Sequence, residues 1–182
     1  MLVKKILETA AALAGRRDLA DYYAGKGGTD LSGLEADAEM MLRCFNLTEN
    51  EVALDYIPID ASTRVVSSGL IPFSDLNGAA TEIIAVRDLQ GKKLDFRLTE
   101  EGIVCRAGEV SVEYYRKPDV KKESDHTDFP NGERFLSFGT ACEFSLMEGQ
   151  FDRASALDVR YKDALTAARR DKSILLKERG WI

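Results

Sequence analysis

The sequence predicts an α+β fold, a helical bundle that carries a small inserted antiparallel β subdomain. Apolar residues recur every three to four positions at both ends of the 182-residue chain, as in amphipathic helices. Between about Ile57 and Arg116 the apolar period falls to two and turn signals recur, as in short antiparallel strands. This order predicts a helical bundle from residues 1–56 and 131–171, a β subdomain at 57–118, a linker at 119–130 and a C-terminal arm at 172–182.

Three helices are predicted before the β subdomain. They lie at Leu2–Ala14, Asp18–Ala24 and Asp30–Asp55. In the second of these helices, Leu19 and Tyr22 are expected to face inward. The apolar face of the third helix is widened by Leu47 and Leu54, and a face this broad predicts a central position in the bundle.

Two more helices, Glu133–Glu148 and Gln150–Arg170, are predicted after the β subdomain, with Gly149 between them. The apolar residues of the first share one face: Phe135, Phe138, Gly139, Cys142 and Leu146. Gly139 is small, so another helix can approach this face closely. The second helix is strongly amphipathic, and its apolar side begins with Phe151. Such a hairpin cannot bury its apolar face alone, so the rest of the chain must cover it.

Six strands are predicted within the β subdomain. They lie at Ser62–Ser67, Leu70–Phe73, Glu82–Arg87, Lys93–Leu98, Ile103–Arg106 and Val110–Tyr114. Gln90–Gly91 and Glu101–Gly102 are the predicted turns. Alternation along the last strand places Tyr114 and Tyr115 on opposite faces, which explains this pair without a stacked nucleic acid.

The charge of the chain is acidic and uneven. The net charge of −6 and a pI near 5.0 argue against a general or sequence-specific nucleic-acid-binding protein. From Arg160 to Ile182, seven basic and three acidic residues give +4, which leaves −10 for the preceding part. This asymmetry favours docking onto an acidic partner or onto a neighbouring copy of the same chain.

The cysteines and the hydropathy predict a cytoplasmic protein. Cys44, Cys105 and Cys142 are far apart and odd in number, so reduced thiols are expected. No signal peptide is evident, and no stretch approaches the ~20 apolar residues of a membrane span. We therefore expect a soluble protein that does not bind a membrane.

The sequence offers little that could support catalysis. Its single histidine, His126, lies in the acidic stretch Glu123–Asp128. A metal-dependent enzyme using this loop is one alternative, but the oxygen-ligand spacing matches no known cation loop, and a solvated linker explains it better. Gly25–Thr29 resembles a phosphate-binding loop only in composition. We predict no catalytic, cofactor-binding or metal-binding residue, and expect His126→Ala to change stability by at most about 0.5 kcal/mol.

The end of the chain predicts a docking arm that binds a partner. Its apolar and basic residues are Lys172, Ile174, Leu175, Leu176, Lys177, Arg179 and Trp181. Left in water, three consecutive aliphatic side chains and a tryptophan would form an exposed apolar patch. Either the arm binds a partner, or it folds back and covers its own bundle. The sequence favours the arm.

Four helical segments carry a family resemblance. They are Phe138–Ala154 (FGTACEFSLMEGQFDRA), Tyr161–Leu165 (YKDAL), Met1–Gly15 and Leu42–Tyr56 (LRCFNLTENEVALDY). Together they resemble the head–tail connector (neck adaptor) proteins of tailed bacteriophages and prophages. The resemblance implies a helical bundle with a β insertion and a homo-oligomeric ring that joins the portal protein to the tail components, without catalysis. It also implies that residues 172–182 hold the portal, and that the protein passes from the host cytoplasm to the virion neck.

A second alternative is a non-enzymatic binding or regulatory module whose β subdomain holds a small ligand. The basic, tryptophan-tipped end on an acidic body favours an assembly protein over this module.

Overall fold

A computed structural model describes residues 1–26 and 33–173, with side chains up to residue 169. Within these residues the fold is mixed α/β, with five α-helices and two antiparallel sheets. The chain divides into two compact units. The helical unit comprises Met1–Glu51 and the chain from Val120 onward, and the β unit comprises Val52–Asp119. The predicted subdomain, 57–118, begins five residues later and ends one residue earlier than the β unit.

Five helices make up the described part of the helical unit. They are α1 (Val3–Leu13), α2 (Arg17–Ala24), α3 (Glu35–Glu51), α4 (Glu133–Met147) and α5 (Phe151–Ser173). The predictions for α1, α2, α4 and α5 are confirmed to within three residues at each end. The helix α3 is shorter than predicted. Gly33 and Leu34 lie before its first residue, and its last residue is followed by a π-helical turn, Val52–Tyr56. The predicted start at Asp30 lies outside the described residues.

The central helix of the helical unit is α4. It packs against α1, α3 and α5, and nine of its 15 residues are buried. The prediction of a central position for α3 is wrong, because Leu47 is 56% exposed on its outer side and Leu54, beyond its end, is 42% exposed. The third helix of the chain therefore covers one side of α4.

Close packing around α4 depends on a glycine. A Cβ atom on Gly139 would lie 2.5 Å from Cγ2 of Thr48 on α3 and 2.9 Å from Cε2 of Tyr161 on α5. Those distances are shorter than van der Waals contact, so only glycine lets both neighbours approach at this level. The expectation that Gly139 admits a close helix is confirmed.

Several side chains of the predicted apolar faces lie elsewhere. On α4, Leu146 is exposed, whereas Leu136 and Phe144 are fully buried. On α5, Phe151 is the first residue of the helix and is 69% exposed. On α2, Tyr23 is the buried tyrosine and donates a hydrogen bond to the Ala38 carbonyl (3.0 Å), while the neighbouring Tyr22 is half-buried.

The segment predicted as a solvated linker packs into the helical unit. The first backbone N–H groups of α1 have no side-chain cap, and those of Val3 and Lys4 donate instead to the carbonyls of Asp125 (2.9 Å) and Glu123 (3.0 Å). Thr127 and Phe129 of the same segment are buried. The segment therefore completes the start of α1 and is not merely a connection.

The β unit contains seven described strands in two sheets. They are β1 (Ile59–Ser67), β2 (Leu70–Pro72), β3 (Ala80–Asp88), β4 (Lys93–Leu94), β5 (Phe96–Leu98), β6 (Gly102–Cys105) and β7 (Gly108–Arg116). One sheet has the order β1-β7-β3-β4 and the other the order β2-β6-β5, with every pair antiparallel. The single strand predicted at Lys93–Leu98 is wrong, since the chain leaves the first sheet after Leu94 and enters the second at Phe96.

The two sheets share an apolar core closed by a buried tyrosine. Ile71 and Ile103 of the three-stranded sheet belong to the same cluster as Val112 and Tyr114 of the four-stranded sheet. The Tyr114 hydroxyl donates to the Asn77 carbonyl (2.8 Å) and accepts from the Thr63 hydroxyl (2.8 Å). Tyr115 is half-buried on the other face of β7, so the prediction of one tyrosine on each face is confirmed.

Candidate functional site

The predicted docking arm begins within α5 and continues beyond the described residues. Lys172 lies in the last turn of α5, and its side chain is not described. The other predicted contact residues lie outside the described part of the chain: Ile174, Leu175, Leu176, Lys177, Arg179 and Trp181. Their role stays a prediction, and the described site is the α4–α5 hairpin from which the arm extends.

The turn between α4 and α5 presents an apolar surface, which we call the hairpin tip and define as Leu146, Met147 and Phe151. These side chains are 43%, 64% and 69% exposed. The turn is tight: the Gln150 N–H donates to the Ser145 carbonyl (2.8 Å), and Gly149 has a positive φ of 73°. Three large apolar side chains in contact with water within six residues are typical of an interaction surface.

A cluster of charges fixes the base of the hairpin tip. The guanidinium of Arg16, at the start of α2, forms ion pairs with Glu148 after α4 (2.6 Å), Asp37 on α3 (2.6 Å) and Asp18 on α2 (2.8 Å). It also lies 5.9 Å above the centre of the Phe144 ring. Hydrogen bonding to Arg16 lowers the pKa of Asp18. One cation therefore ties α2 and α3 to the end of α4.

A second arginine joins α5 to α1. The Arg153 guanidinium donates to the Ala14 carbonyl at the C-terminal end of α1 and to Oε1 of Gln150 (2.8 Å). A cation at this end of a helix opposes the partial negative charge of its free carbonyls. Gly15 has a φ of +78°, and a side chain there would collide with the guanidinium, so the position requires glycine on both counts.

A fully buried carboxylate lies at the end of α3. Oε1 of Glu49 accepts hydrogen bonds from the Thr127 hydroxyl (2.5 Å) and the Asp128 N–H (3.0 Å), and Lys121 pairs with Asp128 (2.9 Å). Burial raises the pKa of Glu49, and these two hydrogen bonds oppose the rise. The arrangement holds the segment before α4 against α3. The sequence could have indicated this buried carboxylate, because Glu49 falls on the same helical face as Phe45.

The residues considered for chemistry are not brought together. The His126 side chain is exposed, and its backbone forms a bridge with Leu2. Among the described residues, no three or more His, Cys, Asp or Glu side chains are grouped in a way that could hold a metal ion. Cys44 and Cys142 are buried, and burial raises the pKa of each thiol to about 11, which disfavours the reactive thiolate.

The β unit presents a shallow hollow on the outer face of its four-stranded sheet. The hollow is lined by Asp60, Ala61, Ser62, Ile84, Glu113 and Tyr115. Ile84 is the extra residue of a β-bulge in β3, and this irregularity places it at the hollow with 37% of its surface exposed. The hollow is open and holds carboxylates beside apolar side chains.

None of the described helices combines the length and the apolar character that a membrane span requires. No protein-family model matches the sequence, and a comparison with curated proteins finds no match. The assignment to head–tail connector proteins therefore stays a prediction from the sequence.

Proposed function

We propose that this chain is a structural head–tail connector (adaptor) protein of a tailed phage or prophage, which forms a homo-oligomeric ring between the portal protein and the tail components. In this role it performs no catalysis and needs no metal or cofactor. The protein is made in the cytoplasm of the bacterial host and takes its place in the virion neck.

The observation that carries the proposal is the α4–α5 hairpin. We interpret the five helices as a bundle around α4, whose buried face supports a long outer helix. Ion pairs from Arg16 and the contact of Arg153 with α1 hold the two ends of the turn. The hairpin tip leaves Met147 and Phe151 exposed. A rigid hairpin with an apolar end suits a protein whose work is to bind other proteins.

The charge distribution supports the same role. Arg160 and Arg169 are exposed on the outer part of α5, and more basic residues follow toward the end of the chain. The rest of the protein is acidic, so the basic C-terminal end differs from it in charge. This difference favours binding of the basic end to an acidic surface of another subunit or protein. In a connector, that surface belongs to the portal or to the next subunit.

Truncation after Asp171 tests the proposal. The full-length chain is expected to co-purify with the portal protein encoded beside it, and the truncated chain is expected to lose this binding. The melting temperature should change little, because the buried residues of α5 end at Leu165 within the part whose side chains are described. A connector is contradicted if the full-length chain does not bind the portal. A large fall in melting temperature would show that residues 172–182 cover their own bundle.

A second candidate function is a non-enzymatic binding module, which the hollow on the β unit favours. Ile84 and Tyr115 offer apolar contact there, and Asp60 and Glu113 offer hydrogen-bond acceptors. The expected ligand is a small molecule with hydrogen-bond donors. Ile84→Ser, compared with Val66→Ser at a more exposed position on β1, would separate ligand binding from general effects on stability.

A further inference from the structure

We propose that the C-terminal segment of one copy, residues 172–182, docks on the hairpin tip of a second copy. This inference rests on the homo-oligomeric ring of the proposed function and deepens it, because it names the two surfaces that meet between neighbouring copies.

The hairpin tip needs a partner. Leu146, Met147 and Phe151 lie on both sides of one turn and are each exposed by 43% or more. The turn itself is held by backbone hydrogen bonds, and its base is held by the ion pair between Arg16 and Glu148. A fixed apolar surface loses little conformational entropy when a partner covers it.

The aliphatic residues of the segment cannot provide this cover for their own copy. The helix α5 runs from Phe151 to Ser173, so these two residues are about 33 Å apart at 1.5 Å per residue. Ile174, Leu175 and Leu176 lie within about 11 Å of Ser173 in any conformation, because one residue spans at most ~3.6 Å. The aliphatic residues therefore remain more than about 20 Å from their own hairpin tip. Only a second copy can bring them there.

The composition of the segment matches the surface. Exposed Asp152 adjoins Phe151, and half-buried Glu143 lies one helical turn before Met147. The two arginines at the base, Arg16 and Arg153, already bind Glu148 and the Ala14 carbonyl. The segment carries Lys172, Lys177 and Arg179 among its apolar residues. Apolar contact and opposite charge thus favour the same pairing.

The proposed contact joins two different surfaces, so it is head-to-tail. Each copy has one hairpin tip and one C-terminal segment, and a third copy can therefore join the second in the same way. Repetition closes a ring when the rotation between copies permits it. A contact between two identical surfaces would instead stop at a dimer.

Two full-length variants separate the two halves of the contact. Met147→Ser with Phe151→Ser removes the hairpin tip, and Leu175→Ser with Trp181→Ser removes the apolar part of the segment. Leu47→Ser is the matched control, because this leucine is 56% exposed on α3 away from the hairpin. Asp152→Lys is a second tip variant at an exposed position. Sedimentation velocity over a wide range of protein concentration measures the mass of each, and circular dichroism checks the fold.

We expect the mass of the wild type and of the Leu47→Ser control to rise with protein concentration. Each tip variant and the segment variant should remain a monomer. Mixing the two double variants should restore association, since one retains an intact segment and the other an intact tip. This mixture should stop at twice the mass of one chain, because no copy has both halves. The proposal is overturned if the wild type stays monomeric, if a double variant keeps the wild-type mass, or if the mixture stays monomeric. Portal binding is assayed on the Met147→Ser with Phe151→Ser variant, whose segment is intact, so failure of the contact between copies is distinguished from failure of portal binding.

Discussion

The two helices of the C-terminal hairpin are adjacent in sequence but differ in how they are buried. In α4, nine of 15 residues are buried, on more than one face. In α5, five of the nineteen residues with described side chains are buried: Ala154, Leu157, Tyr161, Ala164 and Leu165. The sequence predicts one apolar face for each helix. The difference teaches that the number of neighbours, and not the apolar period, decides how much of a helix is buried.

The composition of the two helices agrees with their positions. Between Phe135 and Met147, α4 has a single charged residue, Glu143, and its small residues let α1, α3 and α5 pack around it. The helix α5 carries charges along most of its length, including the exposed ion pair of Asp158 with Lys162 (2.6 Å). A buried helix must exclude such charges, because desolvating an unpaired charge costs several kcal/mol.

The largest expected effect compares one phenylalanine on each helix. Phe144→Ala on α4 should destabilise the protein by about 3–5 kcal/mol, because the ring is fully buried and its loss leaves a cavity. Phe151→Ala on α5 should change stability by at most about 0.5 kcal/mol, because its ring is 69% exposed. Denaturant unfolding of both variants measures the difference. Similar losses for the two would break the comparison.

A second test concerns the contact that makes α4 central. Gly139→Ala should cost about 2 kcal/mol, since overpacking against Thr48 and Tyr161 outweighs the better helix propensity of alanine. Adding Thr48→Ser removes the nearest methyl group and keeps the hydroxyl that donates to the Cys44 carbonyl. The double variant should recover part of the loss. Additive effects would show that the close approach at Gly139 is not the cause.

A third test concerns the charges at the end of α4. Arg16→Met should cost about 1–2 kcal/mol, because it leaves the carboxylates of Asp37 and Glu148, which are 33% and 17% exposed, without their cation. Arg43→Met is the control, since Arg43 and its partner Glu39 are both largely exposed, and should cost at most about 0.5 kcal/mol. Thermal unfolding at low and high salt measures both. Equal losses would mean that Arg16 does not hold the hairpin.

The smallest expected effect concerns Glu49, which holds the segment leading into α4. Its pKa is raised by burial, so its contribution to stability is complete below the unfolded pKa and is lost as the pH rises through the folded pKa. Glu49→Gln keeps an oxygen that can accept hydrogen bonds from Thr127 and Asp128, and the new side chain cannot ionise. Relative to wild type, this variant should gain up to about 1 kcal/mol as the pH rises above the ordinary pKa of a glutamate, about 4.3.

The matched control for this pH dependence is Glu39→Gln, whose carboxylate is 64% exposed. It removes one exposed carboxylate, so it controls for the loss of a negative charge that is not buried. A stability difference between Glu49→Gln and wild type that does not change with pH would contradict the raised pKa.

Part of the site could be predicted from the sequence. The hairpin, its turn at Gly149 and the close approach at Gly139 follow from local spacing and residue size. The hairpin tip could not be predicted, because Phe151 and Leu146 fit the apolar periods of their helices. In the structure both side chains are nonetheless exposed, Phe151 by 69% and Leu146 by 43%.

The sequence by itself determined where the chain is helical, where it is extended, and which glycines interrupt it, because those features depend on residues a few positions apart. The tertiary structure decided that α4 is central, that Lys93–Leu98 divides between two sheets, and that Arg16 pairs with Glu148, 132 positions away. Each of these depends on contacts between segments distant in sequence. The spacing of apolar residues indicates which side of a helix or strand avoids water, but it does not indicate which other segment packs against that side.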